Sequence, residues 1–198
     1  MDNCIYTIGY ATKPIETFLA QLNQYRVNAV ADVRSVPFSN AFFDYHQPAI
    51  KSSLDAAGIK YVYLGNELGP RSKQCEHYDA SGQVQFSLLM QSPLFLKGID
   101  RLMLGVGRGY RIALMCAEKS PLDCHRSLLI GYYLLHEKNI ELGHVLHDGN
   151  LILQSDLECQ MAIDTEIGED LFSDRTETNE RAWKLFCSKK AYRKPLQN

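Results

Sequence analysis

Short apolar runs alternate along this chain with segments whose apolar residues recur every three or four positions, and this alternation restricts the fold more than any single motif. The runs are Cys4 to Thr7, Ala29 to Val33, Lys60 to Leu64, Arg111 to Met115 and Gly143 to His147. Between them, Ile15, Phe18, Leu19 and Leu22 form one stripe, and Ile50, Leu54 and Ala57 form a second that Gly58 closes. Phe86 to Met90 and Phe95 to Leu104 read as helical, the second starting at Ser92-Pro93. Strands spaced by helices pair in parallel, with the crossovers covering the sheet. The expected fold is α/β: a mostly parallel sheet of about five strands with helices on both faces, a Rossmann-like three-layer arrangement. Asp148-Gly149 turns the last run into Asn150 to Gln154, which adds a C-terminal hairpin. A helix over Leu157 to Ile163 and a docking helix around Trp183, Leu185 and Phe186 extend it, so the expected division is an α/β domain over 1–155 and a helical or partly irregular extension over 156–198.

The stretch from Arg111 to Ser127, RIALMCAEKSPLDCHRS, concentrates reactive side chains at one strand-to-helix junction. Arg111 to Met115 suits a strand buried on both faces. Ser120-Pro121-Leu122-Asp123 reads as a helix start, with Ser as N-cap, Pro at the first position and an acid at the third. Cys124, His125 and Arg126 then fall in its first two turns, and Leu128, Leu129, Tyr132, Tyr133 and Leu135 continue it to about Asn139. In open α/β sheets the ligand crevice lies at the carboxyl ends of the strands, so the site is expected here.

With 198 residues, 45% hydrophobic and 22% charged, the chain is long enough to bury a core of its own. A net charge of −2 with scattered acids and bases excludes bulk nucleic-acid binding and leaves room for a small anionic ligand. The six cysteines lack the density of a small secreted scaffold and read as reduced thiols. No secretory apolar segment follows Met1 and no run approaches the length of a membrane span, so a cytoplasmic location without membrane attachment is expected. Phe38 to Tyr45 is too aromatic for an ordinary loop and reads either as core or as a pocket cover. The polar stretch between Leu64 and Phe86 reads equally as a lid or as a surface insertion.

Several motifs stand together in order: Tyr6-Thr7-Ile8-Gly9-Tyr10, Asp32-Val33-Arg34-Ser35-Val36-Pro37, Gly58-Ile59-Lys60-Tyr61, Leu68-Gly69, and Cys116-Ala117-Glu118 with Cys124-His125-Arg126. That set resembles the domain of unknown function 488 family over about residues 4 to 150. The resemblance implies an α/β domain with a pocket formed by these motifs, and it carries no settled activity.

Four chemistries are open to these residues. An anion pocket would use Arg34 and Arg126 as ligands beside Tyr10 and Asp32, since guanidinium groups suit bidentate oxyanion recognition. A cysteine nucleophile at Cys116 or Cys124, beside His125, is similar to rhodanese-type sulfur or phosphoryl transfer, but the position six after Cys116 is Leu122, and Arg126 stands ten away. Glu118 suits general acid/base or nucleophilic work, with Asp32 across the crevice. Cys116, Cys124 and His125, with Cys75 and His77, are ligand types for zinc, but no paired C-x-x-C spacing is present, so neither a metal nor a cofactor is expected unless the fold collects them. Of His144 and His147, at most one should reach the crevice. The leading expectation is an enzyme acting on a small anionic substrate, nucleotide or phosphorylated, with Glu118 catalytic, Cys116, Cys124 and His125 supporting or alternative catalytic groups, and Arg34 and Arg126 binding the anion. Its rival is a non-catalytic ligand-sensing or protein-binding module.

Overall fold

A computed structural model describes residues 5–39, 41–165 and 175–195. Its sheet has six strands: β1 (Ile5–Gly9), β2 (Ala29–Asp32), β3 (Lys60–Tyr63), β4 (Ile112–Cys116), β5 (Gly143–Val145) and β6 (Leu151–Leu153). Their order is β3-β2-β4-β1-β5-β6. The first five are parallel and β6 returns antiparallel to β5, so the expected parallel core and hairpin are both present and the strand count is six. Cys4 lies outside the described residues, and β1 runs on to Gly9.

The helices are α1 (Ile15–Gln24), α2 (Gln47–Ala56), α3 (Gly65–Leu68), α4 (Phe86–Leu89), α5 (Pro93–Gly107), α6 (Tyr132–Lys138), α7 (Gln154–Asp164) and α8 (Arg175–Lys190). Every residue of β1 and β4 is buried, as strands covered on both faces require. Their side chains alternate between two cores. Ile5, Ile112 and Leu114 join Phe95, Ile99, Leu129, Met161 and Trp183 on one face. Tyr6, Ile8, Ala113 and Met115 join Phe18, Leu22, Ile50 and Leu54 on the other. Ser92 caps α5 by accepting from the Phe95 N–H, with Pro93 at its start, and Gly58 closes α2 at φ 72°.

One helix starts elsewhere than the sequence pattern indicates. Ser120 does cap, accepting from the Leu122 N–H, but it caps a single 3₁₀ turn over Pro121–Asp123. Cys124 is then extended, at φ −132° and ψ 140°. Helical backbone resumes at His125, passes through a π-helical stretch over Arg126–Gly131 and continues as α6 to the left-handed Asn139. The extended backbone at Cys124 is the physical break: it ends one helical ladder and starts another, so Cys124 precedes the main helix and does not sit in its first turn.

The stretch from Leu64 to Phe86 is built into the fold. It holds α3, a 3₁₀ turn over Cys75–His77 and a Tyr78–Val84 bridge, and Gln83 bridges to Arg193 near the end of the chain. Leu68, Val84 and Phe86 are buried in the larger core, which anchors the segment at both ends.

His144 on β5 faces a buried polar chain. Gln154 Oε1 accepts from its Nε2–H at 2.7 Å, which leaves Nδ1 to accept from Thr7 Oγ1 at 2.8 Å. Burial first, then the Arg126 charge, push its pKa down to about 3. The unfolded chain takes up this proton near pH 6.5, the folded one only near 3. Stability is therefore complete above about pH 6.5 and falls as pH drops through the window, by up to about 1.4 kcal/mol per pH unit. Urea unfolding between about pH 7 and about pH 5 should show this slope, and His144→Gln should flatten it. An unchanged slope in that variant would remove His144 as the cause.

Candidate functional site

The site grows from the ends of three neighbouring strands. Gly9 pairs with Cys116 and Asp32 with Met115, and the pairing runs past the strands through Tyr10 N–H to Cys116 O (3.1 Å) and Ala11 N–H to Ala117 O (2.9 Å). The loop after β4 thus lies directly over β1. A Cβ on Gly9 would fall 1.9 Å from the Glu118 carbonyl oxygen and 2.5 Å from Arg126 Nη1, so only glycine permits this approach.

Arg126 is 0% exposed. Its Nη1 donates to the Glu118 carbonyl at 2.7 Å and its Nη2 to the Lys119 carbonyl at 3.1 Å. It secures the loop's backbone and does not line the cleft, so Arg126 offers no guanidinium face there to an oxyanion. Arg34 is likewise engaged. Its Nε and Nη2 grip Asp32 at 2.8 and 2.6 Å, and its Nη1 donates to Tyr10 Oη at 3.1 Å and the Tyr45 carbonyl at 2.8 Å. Tyr61 Oη donates to Asp32 at 2.7 Å, and Tyr10 stacks on Tyr45 at 4.2 Å. Burial alone would lower the Arg34 pKa, but Asp32 outweighs it and keeps the guanidinium charged. Arg34 and Asp32 are a buried strut whose outer edge reaches the cleft wall.

With its loop held this way, Glu118 sends its side chain toward two thiols. Cys116 Sγ lies 2.7 Å and Cys124 Sγ 3.0 Å from Glu118 Oε2. His125 Nδ1 stands 3.5 Å from Cys116 Sγ and 3.8 Å from Cys124 Sγ. Its Nε2 is 3.0 Å from the Val33 carbonyl, which can only accept, so Nε2 carries a proton. Burial would raise the Glu118 pKa, but the His125 charge and the two thiol donors bring it below its ordinary value. Burial would lower that of His125, and Cys124 and Glu118 raise it. Cys124 is 1% exposed, and burial followed by its contact with Cys116 pushes its thiol well up, contrary to an activated thiolate at a helix start.

A cleft of about 420 Å³ opens onto this cluster, lined by Tyr10, Arg34, Cys116, Glu118 and His125 among others. Phe38, from the stretch read as core or pocket cover, lines it too, and several further walls carried no sequence signal: Phe86, and the cationic Arg71 and Lys190 with Tyr192. Arg71 lies over the Tyr192 ring at 4.7 Å, and Lys190 pairs with Asp123 at 2.7 Å. The aromatic stretch divides its labour, with Phe38 57% exposed at the cleft and Tyr45 buried. Cys75 is exposed, and His77 is occupied with Ser72 Oγ at 2.7 Å, so neither joins the cluster. His144 and His147 both stay out of this cleft; His147 lines a separate opening on the 118–121 loop.

Among curated proteins and among solved structures nothing matches the chain. A family model does match over residues 14–133, more than half of the chain, taking in the Asp32–Pro37 and Cys116–Arg126 motifs and starting after Tyr6–Tyr10. The motifs that meet at the cleft thus belong to a chain that is a member of the family described as Domain of unknown function DUF488.

Proposed function

We infer that this chain is an enzyme acting on a small anionic substrate, a nucleotide or phosphorylated metabolite, held in the cleft at the carboxyl ends of β1, β2 and β4. The observation that carries the reading is the meeting of a carboxylate, a thiol and an imidazole on the wall of a cleft that also holds two surface cations, Arg71 and Lys190. The volume falls within the range of small-molecule pockets. In this reading Arg71 and Lys190 take the anion, Tyr10 and Phe38 supply ring surface, and Glu118 accepts or returns the proton that moves in the reaction. Cys116 and His125 hold Glu118 in place and present the reacting wall. The anion role thus passes from Arg34 and Arg126, which support the site from within, to the cleft's surface cations.

The experiment is a panel of nucleotides and phosphorylated metabolites incubated with the full chain, read for binding by thermal shift and for turnover by mass spectrometry. For a converted compound, Glu118→Gln should lower the rate by about 10²–10⁴-fold while binding persists, and Arg71→Met should weaken binding. A compound that binds tightly at the cleft and is returned unchanged would favour a sensing module. Absence of any bound anion would remove the reading altogether.

A further inference from the structure

We propose that Cys116, Cys124 and His125 hold a divalent metal ion of zinc type, with Glu118 closing the fourth position. This deepens the reactive cluster of the reading above and uses the same cleft. The ligand atoms of the four residues lie within 4.8 Å of one another. In a tetrahedral zinc site, bonds of about 2.3 Å to sulfur and about 2.0–2.1 Å to nitrogen put the two ligand atoms about 3.6 Å apart. The Sγ to Nδ1 separations here are 3.5 and 3.8 Å.

Three features point to a cation. Both thiols turn toward one oxygen, Glu118 Oε2, so two sulfurs and a carboxylate oxygen already face one another as a donor set that a cation can collect. The Val33 carbonyl engages His125 Nε2–H at 3.0 Å and turns Nδ1 toward the sulfurs, and a backbone acceptor on the far nitrogen is the usual way a metal-binding imidazole is oriented. The Arg126 amide N lies 3.5 Å from Cys124 Sγ, a donor suited to a thiolate. The thiols and imidazole are buried, at 2%, 1% and 6% exposure, whereas Glu118 as a residue is exposed. Three inner ligands and one outer ligand are the makings of an exchangeable site. The S···O separations of 2.7 and 3.0 Å are shorter than ligand-to-ligand spacing, so Glu118 draws back on metal entry. A substrate oxygen or water replacing it leaves the carboxylate alongside as a proton acceptor. Binding breaks two S–H bonds and the N–H bond of a charged imidazole at His125 Nδ1, forms two S–metal bonds and one N–metal bond, and releases those protons to solvent, with no electron transfer.

The test uses the full chain, stripped with a chelator under reducing conditions and titrated with cobalt(II). One cobalt per chain is expected, with sulfur-to-cobalt charge-transfer absorption and the strong visible bands of a tetrahedral ion, both lost on adding zinc. Cys116→Ser and Cys124→Ser should each weaken binding by more than about 100-fold, beyond the 10–100-fold typical of losing an outer partner. Cys187→Ser should leave the titration unchanged, and Glu118→Gln should still bind with altered visible bands. A wild-type titration matching that of the two serine variants overturns the proposal. Should those variants fail to fold, zinc-edge X-ray absorption of the loaded wild-type chain decides: two sulfurs in the first shell support the site, and a shell without sulfur overturns it. Metal bound without any turnover would leave this inference standing and count against the enzyme reading, whereas turnover by a chain that takes up no cobalt would overturn this inference and leave the enzyme reading standing.

Discussion

Replacing Asp32 with alanine should destabilise the fold by about 3–5 kcal/mol, the range for stranding one member of a buried ion pair. Asp32 is 0% and Arg34 4% exposed, and the pair is bidentate. Removing the carboxylate leaves the guanidinium with only Tyr10 Oη and the Tyr45 carbonyl, and it also strips Tyr61 Oη of its acceptor. The penalty comes from the charge left behind rather than from the bond lost. An Asp32→Leu, Arg34→Met double variant, which removes both charges, should therefore recover much of the stability lost by Asp32→Ala. Denaturant unfolding of the three proteins measures the difference. A loss under about 1 kcal/mol in the single variant would mean that water reaches the guanidinium, as at surface pairs.

The parallel pairing of this fold, though not the order of its strands, was legible because short apolar runs alternate with helical stripes along the chain. β1 and β4 are buried throughout, and Gly58, Ser92-Pro93 and Asp148-Gly149 mark turns and caps whose chemistry is local. The junction was legible as a location and less so in its parts. Ser120-Pro121 carries every sign of a helix start, and it does start a turn. What ends that turn is the extended Cys124, whose sulfur meets Cys116 and Glu118 across the loop, a tertiary contact that no local spacing encodes.

The arginines show the same limit. Arg34 follows a strand end and Arg126 opens the helical stretch beyond β4, but whether a guanidinium faces a ligand or a backbone depends on which carbonyls the fold brings to it, and Arg126 meets those of Glu118 and Lys119. The cluster Cys116, Glu118, Cys124 and His125 was legible in part: its two thiols and imidazole were named as zinc-ligand types, but with Cys75 and His77 beside them and without Glu118. Its members are spread over a strand end, a loop and a helix start, and the fold gathers them. Arg71 and Lys190 come from the middle insertion and the tail, where Leu68-Gly69 and the helix around Trp183 mark the segments but nothing in the spacing links one to the other, so only the assembled cleft joins them.

Trp183→Ala should cost about 3–5 kcal/mol if the core responds as it does to other buried aromatic truncations, and its consequences should reach the cleft. Trp183 is 6% exposed, stacks on Tyr132 at 3.9 Å, and donates from its indole N–H to the Leu128 carbonyl at 2.7 Å. That carbonyl lies in the π-helical stretch that begins right after His125. The same helix α8 ends at Lys190, and Tyr192 follows, so loosening its hold releases two parts of the cleft wall together with the Gln83–Arg193 bridge. Hydrogen exchange should therefore rise first over residues 175–195 and over the 64–86 stretch, ahead of β1 and β4, where both faces remain covered. Exchange that rises uniformly, with the sheet opening as early as α8, would mean that the tail is part of one cooperative core. Under that outcome the extension could not be treated as a separable rim, and Trp183 would report on the whole fold rather than on the approach to Cys116 and Glu118.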